Sequence, residues 1–227
     1  LLRDAWLEIN ASDNARAIRM AQAWFEMPYP TFKRLALFAA SHDGCIATEQ
    51  WVDWLLAESA WWLWSTDTGR EVFRLFVLQG LHLAGAAQER LETAILAGPP
   101  REMYRDDLEP DRWQDLVARS VWLHLAKLNA SSLALGVASA ARLEELSRRH
   151  PQWQLAANER DEFSHWMTGT GDPDYEERRE VDIAPRKRRD IVHWLVKPKP
   201  ERHPFYEDTW REVCSTRVFH SLYALCD

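Results

Sequence analysis

Three arginine–histidine pairs in this 227-residue chain combine residue types and spacing that could do chemistry: Arg119/His124, Arg160/His165 and Arg188/His193, each with four residues between its members. A guanidinium that binds phosphate beside an imidazole that titrates near neutral pH can work on an RNA backbone. With 23 Arg and 8 His in the chain, however, roughly 2.4 Arg–His pairs separated by four to six residues arise by chance, so three carry almost no information. Arg160/His165 is the best catalytic candidate, because the polar Asp161 follows the arginine; the plainer reading is a helix-surface arginine and a half-buried histidine. Metal chemistry has less support. Cys214, His220 and Cys226 are six residues apart at each step, a rotation of about 600° on a helix, which scatters them around its axis. His42 and Cys45 flank a turn without a second ligand pair, and neither G-x-S-x-G nor a Cys/His nucleophile signature occurs. No metal and no cofactor are implied.

Two further groups of residues suggest binding rather than catalysis. The 13 tryptophans could form an aromatic cage or a base-stacking platform. Trp51, Trp54, Trp113, Trp122 and Trp153 instead lie among Leu and Ala at helical spacing and read as core. The cluster Trp61-Trp62-Leu63-Trp64 differs, because four successive bulky residues cannot all face one side of a helix; Trp61, Trp62 and Trp64 are therefore candidates for an interdomain or oligomer contact. The second group is the irregular stretch from Thr168 to Pro185, whose charged run includes Asp174, Tyr175 and Glu176, followed by Arg186, Lys187, Arg188 and Arg189. It reads either as a partner-docking loop with a basic patch or as a solvated, self-neutralising linker.

The elements that must position these residues are helices. The chain holds 28 Ala and 27 Leu against 11 Val and 6 Ile, so strong helix formers dominate the β-branched aliphatics. Its 8 Gly include no phosphate-cradling motif, which excludes dinucleotide and P-loop folds for this segment. A net charge of −7 argues against a general nucleic-acid binder or a binder of anionic membranes, and no apolar run is long enough to span a bilayer. Three widely spaced cysteines fit reduced thiols and a cytoplasmic setting.

Helices are predicted from Asp13 to Met27, Thr31 to Ser41, Thr48 through the tryptophan cluster, Asp67 to Leu83, Gly85 to Leu96, Pro110 to Asn129 and Ser132 to Arg149. Shorter ones are expected over Glu159–Met167, Pro185–Val196 and Tyr206–Leu225. Paired helices start near Thr31, Asp67, Pro110 and Ala157, a spacing close to the roughly 40–47 residues of HEAT and armadillo repeats. Arg34-Leu35-Ala36-Leu37-Phe38 and Arg74-Leu75-Phe76-Val77-Leu78 repeat a basic residue and an apolar run. The expectation is an all-α array of antiparallel helical hairpins, a HEAT/armadillo-like α-solenoid, with an irregular helical bundle as the alternative. Residues 1–167 would form the repeat region, 168–184 the charged loop and 185–227 terminal helices continuing into a longer chain.

Two resemblances add function to this architecture. Arg-x4-His is the motif shape of the HEPN ribonucleases, which implies an all-helical nuclease as the alternative function, carried by Arg160 and His165. The segments Pro28-Tyr29-Pro30-Thr31-Phe32-Lys33-Arg34-Leu35-Ala36-Leu37 and Arg202-His203-Pro204-Phe205-Tyr206-Glu207-Asp208-Thr209-Trp210 resemble the helical C-terminal regions of bacterial sirtuin-like antiphage defence proteins. That likeness implies a non-catalytic scaffold, sensor or regulatory region of a larger protein, whose NAD-consuming domain would lie elsewhere. The implied partners are other domains of the same chain, a protein ligand of phage origin or a second copy.

Overall fold

In the computed structural model the described residues are 2–155, 184, 185, 187–196 and 209–226. They contain eleven α-helices and no strand. The chain divides into two compact units, Leu1–Glu176 and Glu177–Asp227.

The first unit holds α1 (Leu2–Ser12), α2 (Asn14–Glu26), α3 (Pro30–Ala40), α4 (Thr48–Trp64), α5 (Gly69–Gln79), α6 (Gly85–Ala97), α7 (Pro110–Ala130) and α8 (Val137–Arg149). Local chemistry sets several of these ends. The Asp13 side chain accepts from the Arg16 backbone N–H at 3.0 Å and caps α2. Proline occupies the first turn of α3 and of α7, where its missing N–H leaves no helical bond unmade. Gly98 ends α6 with φ 79°, and a Cβ there would lie 2.9 Å from Val117 Cγ1 of α7.

Three departures from the sequence reading have physical causes. Helix α1 precedes the first predicted helix, and its Trp6 is buried, donating from Nε1 to the Ala17 carbonyl at 3.1 Å. The helix expected from Ser132 begins only at Val137, since Ser132 adopts φ 69°. The Asp67–Leu83 prediction resolves into α5 and a 3₁₀ turn, Gly80–His82.

Packing follows two rows. Helices α3, α5 and α7 lie side by side, as do α4, α6 and α8, and the rows meet where α4 packs on α5, α6 on α7 and α7 on α8. Between them lies a continuous core of aliphatic and aromatic side chains, Trp51, Trp54 and Trp122 included. Trp113 and Trp153 are half-buried. Each large ring removed from water stabilises the fold by several kcal/mol at roughly 25 cal/mol per Å².

The second unit contains α9 (Arg188–Val196), α10 (Thr209–Thr216) and α11 (Val218–Cys226). One helix was expected from Tyr206 to Leu225; the structure divides it at Arg217. Ala184, Ile191, Val213 and Ala224 form a small core of their own. Among the described residues no helix is long and apolar enough to cross a membrane.

Candidate functional site

Several polar groups of the α3–α5–α7 row are engaged inside the core. Arg34 on α3 meets Glu71 on α5 as a two-point fork, Nε donating to Oε2 at 2.9 Å and Nη2 to Oε1 at 2.7 Å. Both side chains are almost fully buried. Burial pushes the Glu71 carboxyl above the ordinary carboxylate range, and the Arg34 fork opposes that rise.

His124 on α7 is buried, with Trp64, Phe73 and Phe76 ring centroids at 4.3, 4.8 and 6.0 Å. Its Nε2 lies 3.0 Å from the Leu63 carbonyl and its Nδ1 2.8 Å from that of Ser120. The two carbonyls would favour a doubly protonated ring, but loss of hydration outweighs them and lowers the pKa to about 4. The ring is then neutral near pH 7 and has one N–H. The Leu63 carbonyl lies in the last turn of α4, where helices run out of internal donors, so assigning that proton to Nε2 satisfies it. The same end of α4 is completed by the Ser65 N–H, which donates to the Trp61 carbonyl at 2.9 Å, and by the Thr68 hydroxyl, which donates to that of Trp62 at 2.8 Å.

That end of α4 follows an unusual turn. Glu58, Ser59 and Ala60 have φ of 52°, 59° and 62°, three successive non-glycine residues in the left-handed region. Each such residue costs roughly 1–2 kcal/mol relative to right-handed helix. The turn reorients the tryptophan cluster. Trp62, Leu63 and Trp64 are buried, whereas Trp61 points outward and keeps 39% of its surface exposed. Of the three tryptophans expected at an interface, only Trp61 therefore offers substantial surface, because the other two complete the core.

The turn is fastened on both sides. Trp62 Nε1 donates to Glu58 Oε1 at 3.1 Å across it. The Lys33 ammonium, buried on α3, donates to the Phe25 carbonyl while lying 4.1 Å from the Phe25 ring centroid and 5.1 Å from that of Trp62. Phe25 in turn stacks on Trp54 with centroids 4.6 Å apart. One cation thus joins the end of α2 to the end of α4, and beside those joined segments lie the exposed Met27 and Tyr29.

Sequence reasoning missed the clasp and the turn. Glu-Ser-Ala contains none of the Gly, Asn or Asp that usually announce a left-handed backbone, and Lys33 sits in a segment read as a helix start and for its family resemblance, with no role given to the lysine itself. The available signal was the inability of residues 61–64 to share one helix face.

The remaining candidates are placed as follows. Arg119 is exposed while His124 five residues on is buried, so burial separates that pair. His193 is exposed on α9; the Arg188 side chain is not among those described. Lys187 and Arg189 are exposed. Arg160, His165, Asp174, Tyr175, Glu176 and Arg186 lie outside the described residues. Cys45 is a buried thiol pushed up to about 11 by loss of hydration, which makes it a poor nucleophile at neutral pH. Among the described residues no group of three or more His, Cys, Asp or Glu could hold a metal ion. No family model matches the chain, and neither does any curated protein or solved structure.

Proposed function

We propose that this chain is a non-catalytic interaction region built as a HEAT-like array of helical hairpins. The alternation of two helix rows supports the array: each new hairpin adds one helix to the α3–α5–α7 row and one to the α4–α6–α8 row. The observation that carries the docking role is the left-handed turn at Glu58–Ala60, where backbone strain coincides with an outward tryptophan. Strain of this kind persists where the surroundings enforce it, and it concentrates at functional positions. Tyr29, 63% exposed, and Met27 add exposed apolar side chains just beyond Phe25, which Lys33 joins to Trp62. The occupant is another protein or another domain of a longer chain. The antiphage-defence setting, as scaffold, sensor or regulator, is supported by the resemblance of residues 28–37 and 202–210.

The test is site-specific photocrosslinking in living cells. A benzophenone side chain at position 61 should yield discrete higher-mass adducts, and the same group at the exposed Glu89 of α6 should not. Equal yields at both positions, or none at either, contradict the docking role.

A further inference from the structure

The two segments that Lys33 ties together carry formal charge of one sign. No Lys or Arg occurs from Met20 to Phe32 or from Gln50 to Trp64, the two segments that supply the corner. They contain Glu26, which precedes Met27, and Glu58, which opens the left-handed turn, both exposed. Asp53, also in these segments, is occupied by Arg90 at 2.6 Å. Lys33, which joins the two segments, is buried and committed to the Phe25 carbonyl and two rings. Besides Asp53, these two segments therefore expose two aromatic side chains, a thioether and two carboxylates.

We propose that this corner docks a cationic peptide segment of a partner protein, an arginine or lysine lying against Trp61 or Tyr29 with its charge directed to Glu26 or Glu58. This inference rests on the docking role above and adds the chemistry of the partner. An indole is the best aromatic acceptor for a cation, and guanidinium groups stack on such faces while bonding carboxylates through their edge. Met27 adapts its shape to an apolar neighbour. The Trp62–Glu58 bond, the Lys33 clasp and the caps on the Trp62 and Leu63 carbonyls fix the turn beforehand, so little ordering entropy is lost on association. An anionic partner such as RNA meets repulsion here.

Fluorescence anisotropy with three labelled peptides, alternating Arg/Leu, Gln/Leu and Glu/Leu, tests the proposal on the whole chain. The Arg/Leu peptide should bind tightest and weaken with added salt. Trp61→Ala combined with Tyr29→Ala should reduce its affinity by about tenfold. Glu26→Gln with Glu58→Gln should reduce it several-fold and flatten the salt dependence; glutamine at position 58 retains an acceptor for the Trp62 indole, so this variant keeps the test valid if the aromatic one misfolds. The proposal is overturned if the Gln/Leu or Glu/Leu peptide binds as tightly, or if folded variants bind the Arg/Leu peptide undiminished. Crosslinks at position 61 that persist alongside such a result leave the docking role standing and remove only the cationic partner; loss of the position-61 crosslinks removes both.

Discussion

The α3–α5–α7 row and the corner at Glu58–Trp61 handle difficult groups in opposite ways. In the row, charged and polar side chains are taken out of water and answered there: Arg34 by Glu71, and His124 by the Leu63 carbonyl of α4. At the corner the backbone itself is left strained, and an indole remains in solvent. A fold can hold strain near its surface only if the layer beneath is rigid. The row provides that layer, because Trp64, which follows the strained turn, packs on His124.

The contrast breaks most severely by removing one member of the buried ion pair. Glu71→Ala should lower stability by about 3–5 kcal/mol, since it leaves the Arg34 charge buried beside a cavity. Arg34→Met with Glu71→Leu should recover most of that loss. Urea unfolding measures both.

His124 supplies the next largest effect. Its native pKa is lowered from 6.5 to about 4, so between those values the unfolded chain takes up a proton that the native state refuses. Stability should therefore be fully present above pH 6.5 and fall as the pH drops towards 4, by roughly 3 kcal/mol in total. His124→Gln, whose amide can still donate to Leu63, should lower stability at pH 7 yet show a shallower decline across this window. Equal slopes for the two proteins would mean that other groups govern the acid response.

Smaller substitutions sharpen the comparison. Gly98→Ala should cost about 1–3 kcal/mol, because the φ of 79° and ψ of 176° are almost confined to glycine and the new methyl meets Val117. Alanine-to-glycine changes should reverse sign between an ordinary helix and the strained turn. At the exposed Ala23 inside α2 the change should destabilise by about 1 kcal/mol. At Ala60, with φ 62°, it should be neutral or stabilising, because relief of the left-handed strain offsets the added freedom of the unfolded chain. Trp61→Ala with Tyr29→Ala should shift the melting temperature little, by an amount equivalent to about 0.5 kcal/mol per site, while it alters association.

Much of the helical content could be read from the sequence because its signals are local. Asp13, Pro110, Gly98 and the Ala/Leu periodicity mark ends and faces within a few residues of themselves. The fork between Arg34 and Glu71 was not legible, since it joins positions 37 residues apart whose partnership depends on how α3 meets α5. The matched segments beginning at Arg34 and Arg74 hinted at a repeat but not at this bond. Trp62 and Trp64 were read as possible surface for a related reason: the left-handed turn that buries them is enforced by Lys33 and His124, which come from other helices.

The central claim, that the strained turn presents Trp61 outward for docking while its neighbours complete the core, is tested most directly by ¹⁹F NMR of the chain labelled with 5-fluorotryptophan. Trp61→Phe, Trp62→Phe and Trp64→Phe would assign the three resonances. The account predicts a marked H₂O-to-D₂O isotope shift for position 61, little or none for 62 and 64, and a further shift of the position-61 signal alone when the Arg/Leu peptide is added. A position-61 signal as insensitive to solvent isotope as the other two, or one that stays fixed while the peptide binds, would contradict it.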